Sequence, residues 1–208
     1  INNYKIDGVD YSYLPDEIEC HFISLDILFI CLPTDLVSYY KNIFSKSNIS
    51  INQIICTSYA KSINYKNKLN LSKHTAFIDV GFKKTSIISY IDDKILSLDI
   101  LPIGGNHITK DISKLLGLDL IEAEKIKLYF DKDPNILIDK NLSIELIQKI
   151  IFARIEEILE LCVKSIQTNE HPGQQEDSKM ILMGEGSKIL DNKFKDEISF
   201  SQKIDLLE

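Results

Sequence analysis

Apolar residues run almost without interruption from Ile18 to Leu32, which predicts one or two buried strands that Pro33 stops. Thr34 stands where it can cap a helix. Leu36, Val37, Tyr40, Ile43 and Phe44 then recur at helical spacing, so a helix is predicted from about Asp35 to Ser45. Gln53 to Cys56 reads as a short strand. Thr75 to Val80 reads as a buried strand, and Ser86 to Tyr90 and Lys94 to Leu101 as a hairpin turning at Asp92-Asp93. After Gly104-Gly105 the period changes. Ile108, Ile112, Leu115 and Leu116 mark a helix with Asn106 as its capping candidate and Gly117 as its stop, and Asp119 to Lys127 opens another. Asp131 to Asn141 reads as a loop or short irregular strand. Ile147, Ile151, Ile155, Ile158, Cys162 and Ile166, at spacings of three and four, predict the longest helix. A polar linker, His171 to Asp177, leads to a buried strand over Met180 to Met183 and then to Gly184-Glu185-Gly186-Ser187. The fold class expected is mixed α/β.

Composition narrows the function. The 208 residues are 44% hydrophobic, enough to bury a core. A net charge of -7 and a pI near 5.2, with lysines always interleaved among acids, argue against nucleic acid as a partner. Cys20, Cys31, Cys56 and Cys162 lie far apart with no CxxC pair, so they suggest neither a zinc site nor a disulfide scaffold, and a reducing cytosol fits them best. No apolar run approaches the roughly 20 residues of a spanning helix. The GxSxG, HExxH and GxxxxGK[ST] patterns are absent, and no catalytic residue is assigned.

The chemistry that remains lies in three glycine-bearing stretches at strand ends: Asp79-Val80-Gly81, Gly104-Gly105-Asn106 and Gly184-Glu185-Gly186-Ser187. Glycine at such junctions lets backbone amides approach a phosphate closely. A single one is usually just a turn. Their order, with a hairpin between the first two, resembles the nucleotide-binding half of the actin, Hsp70 and sugar-kinase superfamily.

Within that superfamily the wording is closest to the bacterial cell-division family FtsA. Leu101-Pro102-Ile103-Gly104-Gly105-Asn106-His107-Ile108-Thr109-Lys110-Asp111-Ile112 resembles its "GGNHVTxDIA". Ala123 to Lys127 resembles "AExxK", Arg154 to Leu161 "RxEEILEL", and Ile181 to Ser187 "VLTGGGS". Upstream, Tyr4 to Gly8 resembles "YxLDG" and Ile54 to Ala60 "xVxxPxAS". The resemblance implies an actin-like, ribonuclease H-like lobe with an inserted α+β subdomain. Residues 1–57 would be the C-terminal part of that SHS2-like insert, 58–73 a connecting helix or linker, 74–118 and 179–208 the sheet subdomain, and 119–178 a smaller helical subdomain. The N-terminal strand with the first phosphate loop and the C-terminal amphipathic helix would lie outside this sequence.

Carried over by resemblance, Asp79 would hold a magnesium-bound water, and Gly81 and Thr85 would border the phosphates. Gly104, Gly105 and Asn106 would sit near phosphates and ribose, Glu124 and Lys127 would contact ribose and adenine, and Gly184, Gly186 and Ser187 would lie under the base. The implied cofactors are ATP and Mg2+, with at most weak ATPase activity. The implied role is a scaffold on the cytoplasmic face of the inner membrane at the division site. It would assemble head to tail, bind the C-terminal tail of FtsZ, and reach the membrane through the C-terminal helix. Two alternatives are a pilus-assembly adaptor of PilM type, whose "GGxxLTxxI" fits Gly104 to Ile112 nearly as well, and a degenerate actin-like adaptor that binds no nucleotide. The degenerate reading gains from a departure: the family's Gly-Gly-Gly-Thr is here Gly81-Phe82-Lys83-Lys84 before Thr85, with Lys83 or Lys84 left to meet phosphate by side-chain charge. Glu185 also replaces a glycine.

Overall fold

The computed structural model describes residues 1, 3–69, 74–92, 94–129, 142–169, 178–189 and 203–206. The expectations for 131–141 and 171–177 fall outside these. Near the N-terminus, β1 (Asn3–Ile6), β2 (Val9–Tyr11) and β3 (Ile23–Asp26) form an antiparallel sheet in the order β2-β1-β3, followed by α1 (Thr34–Ser45). The turn into β2 uses left-handed backbone at Asp7 and Gly8, and the Asp7 carboxylate accepts from the amides of His21 and Phe22, tying β3 to the hairpin.

The buried strands expected between Ile18 and Leu32 are not found. One exposed four-residue strand forms, and Phe22, Leu25 and Phe29 face solvent. Apolar sequence marks what can be buried, but burial needs a covering layer, and β3 is exposed along its whole length. α1 likewise has no buried residue; it matches its predicted span, but Pro33 rather than Thr34 is its N-cap position. Gln53 to Cys56 is not a strand. It is irregular chain running into α2 (Thr57–Lys66) from the extended Cys56.

From His74 onward the chain builds a mixed five-stranded sheet in the order β6-β5-β4-β7-β8, from β4 (His74–Val80), β5 (Thr85–Ile91), β6 (Lys94–Leu101), β7 (Ser178–Met183) and β8 (Lys203–Leu206). β4, β5 and β6 are antiparallel neighbours, while β7 joins β4 in parallel and β8 joins β7 in parallel. The parallel pairing of β4 and β7 is made possible by the long connection through α3 (Gly105–Leu116), α4 (Leu120–Tyr129) and α5 (Ile144–Asn169).

Strand alternation divides β4 between two layers. Ala76, Ile78 and Val80 face α3, α4 and α5, where they pack with Ile108, Ile112, Ile126, Ile151 and Ile158. Phe77 faces the other way, into a smaller cluster with Ile88, Tyr90, Ile181 and Met183 that Tyr65 and Leu69 cover. Asp79 shares the period of Phe77 and therefore points toward α2. The predicted helix stop and the next helix start both hold their places: Gly117 ends α3 in left-handed conformation (φ 66°), and Asp119 caps the start of α4 by accepting from the amides of Ile121 and Glu122.

Candidate functional site

Three junctions meet at the C-terminal end of β4. The turn after it is closed by the Gly81 amide donating to the Lys84 carbonyl (3.0 Å). Against this turn lies the start of α3, where the Gly105 amide donates to the Gly81 carbonyl (2.9 Å) and the Asn106 amide to the Phe82 carbonyl (2.7 Å). The first-turn amides of α3 are thus satisfied by the turn's own carbonyls. Gly104, not Asn106, is the N-cap; its amide donates to the His107 Nδ1 (3.2 Å), so His107 folds back on the helix start rather than standing as a surface residue. A Cβ on Gly104 would fall 2.4 Å from the Gly81 carbonyl oxygen.

The third junction follows β7. Asp79 and Met183 are partners in register, so Gly184 arrives beside the Asp79 side chain. Gly184 has φ +95°, and a Cβ there would lie 2.2 Å from the Asp79 Oδ1. A Cβ on Gly186 would meet the Val80 side chain and carbonyl, both at 2.6 Å. The Ser187 hydroxyl, buried, donates to the Gly184 carbonyl (2.7 Å) and closes the short 3-10 helix Glu185–Ile189. The Thr85 hydroxyl, also buried, donates to the Ile103 carbonyl (2.8 Å) and so faces the interior. Gly81, Gly104 and Gly186 let backbone approach backbone, and Gly184 makes room for the Asp79 side chain.

Asp79 is 7% exposed, and both of its carboxylate oxygens accept hydrogen bonds. Ser58 donates to its Oδ2 at 2.7 Å, and Lys61 Nζ lies 3.1 Å from Oδ1 and 3.2 Å from Oδ2. Ser58 and Lys61 are three apart on α2 and so share a face. That face is held down further along by the buried Ser62–Tyr90 hydroxyl pair (2.8 Å) and the edge contact of Tyr90 on Phe77. Burial pushes the Tyr90 phenol above its usual range, against the opposing pull of the Ser62 hydrogen bond. Neither Ser58 nor Lys61 was singled out from the sequence. The available signal was a serine and a lysine at helical spacing just before a strand ending in a lone carboxylate.

Lys127 is buried, 4% exposed. Its ammonium donates to Glu124 Oε2 (2.7 Å), Thr109 Oγ1 (2.9 Å) and the Gly105 carbonyl (3.2 Å). It thereby ties α4 to the start of α3. Thr109 also bonds Glu124 directly. The Phe82 ring lies over this ammonium at 5.6 Å, so the aromatic that replaces a family glycine has a packing partner. Lys83 and Lys84 project from the turn, exposed.

The residues do not fit a magnesium ion in the role the resemblance assigns. The carboxylate meant to face its bound water already accepts from a hydroxyl and an ammonium, and Gly184 backs onto Oδ1. Among the described residues no three His, Cys, Asp or Glu side chains group as a metal site.

The sheet order, the crossover helices and the strand-end junctions are those of an actin-like fold. Solved structures agree on the fold: the PilM-PilN type IV pilus biogenesis complex (TM-score 0.59, 18% identity, 83% of this chain and 48% of that one) and MreB5 of Spiroplasma citri bound to AMPPNP (TM-score 0.59, 18% identity, 84% and 60%). Sequence narrows the class. Residues 76–170 match the family described as cell division protein FtsA. Curated FtsA proteins are similar over much of the chain: that of Neisseria meningitidis serogroup B is 30% identical over 122 residues (51% of this chain, 30% of that protein), and that of Agrobacterium fabrum 23% over 182 residues (79% and 41%). The Bacillus subtilis FtsA is 33% identical over 118 residues (50% and 26%). The chain is thus similar in sequence to FtsA cell division proteins and has an actin-like fold, and the matched stretches span less than half the length of these relatives. No described helix is long and apolar enough to cross a membrane.

Proposed function

We propose that the chain is part of an FtsA-like scaffold that binds ATP between lobes, assembles head to tail, and links FtsZ to the cytoplasmic membrane through a C-terminal helix. The observation that supports this is the convergence of Asp79, the Gly81 turn, the Gly104-Gly105 helix start and the Gly184 junction at one end of the sheet, in a chain whose sequence relatives are FtsA proteins. The MreB5 neighbour of the same fold was solved with AMPPNP. In this reading 74–118 with 179–208 form the sheet subdomain, 119–178 the helical one, and 1–57 the insert. Nucleotide acts as a conformational ligand: bound by both lobes, it favours the lobe angle that assembles.

The FtsZ tail would dock on the helical side. A recess of about 250 Å³ there is lined by Leu115, Ile150 and Ala153 together with Asp111, Arg154 and Glu157. Apolar floor plus charge suits a short peptide. Arg154 is oriented by a two-point bond to Asp111 (2.6 and 2.9 Å), and its guanidinium also meets Glu157. Fluorescence anisotropy with a labelled FtsZ tail peptide tests this part. Saturable binding that Arg154→Ala weakens about tenfold or more supports it, and the absence of binding, or binding indifferent to Arg154, removes it.

A second reading, an actin-like adaptor without nucleotide, is favoured by the occupied Asp79 carboxylate and the already satisfied amides of α3. Nucleotide titration separates the two. The PilM alternative has the fold in its favour, but the sequence relatives are division proteins.

A further inference from the structure

We propose that Lys61 stands in for a divalent cation at Asp79, so that the site takes a nucleoside polyphosphate without metal. The proposal rests on the nucleotide reading above and specifies its cofactor chemistry. An ionised carboxylate has about four acceptor positions. Here the Ser58 hydroxyl takes one, the Lys61 ammonium bridges both oxygens at 3.1 and 3.2 Å, and the Gly184 backbone closes on Oδ1. For Asp79 to hold a metal-bound water, the ion would have to arrive beside an ammonium of the same sign and displace it from its bond. The ammonium instead supplies positive charge at that place itself.

Lys61 is suited to face a ligand. Its side chain is 39% exposed while that of Asp79 is 9% exposed, so the pair is buried on the carboxylate side and open on the ammonium side. An ammonium has three donors, and the carboxylate occupies at most two of them. The surrounding backbone points the same way, because the Gly81, Gly105 and Asn106 amides are bonded to carbonyls of the turn and the helix start. Phosphate charge must then be met by side chains. Lys83 and Lys84, exposed in the turn that begins two residues after Asp79, add two ammonium groups to that of Lys61.

The test is equilibrium binding of mant-ATP to the whole chain, in EDTA and in excess magnesium, for wild type, Lys61→Met and Lys61→Arg. Expected are wild-type affinities within about threefold in the two buffers, about tenfold weaker binding by Lys61→Met in EDTA with recovery in magnesium, and retained metal independence in Lys61→Arg. Recovery follows because loss of the ammonium frees the Asp79 carboxylate for a metal-bound water. Wild-type binding that collapses in EDTA overturns the proposal and leaves the nucleotide reading standing, as does Lys61→Met binding like wild type in EDTA. Absence of binding in both buffers overturns both. The wild-type arm decides without any variant that must fold.

Discussion

Replacing Gly184 with alanine places a methyl carbon 2.2 Å from the Asp79 Oδ1 and 2.9 Å from the Val80 carbonyl oxygen, well inside contact distance. Val80 belongs to the central strand β4 and cannot retreat, so the carboxylate must swing away from Ser58 and Lys61. A hydrogen bond to a charged group contributes about 1.5–3 kcal/mol. Left-handed backbone at φ +95° costs alanine roughly 1–2 kcal/mol more. Together these give about 2.5–5 kcal/mol, a large part of the roughly 5–15 kcal/mol that keeps a domain folded. Gly117 is the internal control: φ is +66° and a Cβ there meets nothing within 4 Å, so Gly117→Ala should cost only the backbone part, about 1–2 kcal/mol. Urea unfolding of both variants gives the comparison as shifts in midpoint at constant m. In an Asp79→Ala background the extra loss at Gly184 should shrink, since the carboxylate it displaces is gone. Equal losses at the two glycines would refute the close packing of Gly184 on Asp79.

Lys127→Met should destabilise by about 2 kcal/mol in the same assay, because it leaves Glu124 and Thr109 without their shared donor; the figure is reduced for the partial exposure of Glu124. Burial pushes the Cys162 thiol up to about 12 from the ordinary 9.0. In the unfolded chain that thiol ionises near pH 9 and in the fold only near 12, so stability is complete below pH 9 and falls between pH 9 and about 12 by about 1.4 kcal/mol per unit. Cys162→Ala should flatten that slope, and an unchanged slope refutes the assignment. In native thiol labelling, the exposed Cys20 and Cys31 should react first and Cys162 only on unfolding, as mass spectrometry of the labelled chain would show.

Periodicity carried most of the fold. β4, β5 and β6, with α3 and α5, lie where the strand and helix patterns put them, because each buries apolar positions against another element and the pattern records that burial, while α1 holds its predicted span although none of its residues is buried. Ile18 to Leu32 misled for the opposite reason: the apolar run is present, but β3 within it is exposed along its whole length. The strand Lys203–Leu206 went unread, since four residues at the end of a parallel array carry too short a pattern. At the site, the three glycine-bearing stretches come together at the end of β4. Glycine spacing could not say what approaches, and at Gly104 and Gly186 the answer is backbone and a valine side chain. Ser58 and Lys61 were invisible for a related reason: their pairing with Asp79 spans 21 and 18 residues and depends on which face of β4 looks toward α2.

The central claim is that this junction of strand ends binds ATP, and the most direct measurement is the unfolding free energy of the chain as ATP is raised. Binding to the native state alone predicts a continuous rise, reaching about 2.7 kcal/mol at a hundred times the dissociation constant. Stability that stays flat up to the highest ATP concentration would contradict the claim and leave an actin-like adaptor whose glycine junctions only knit the sheet together.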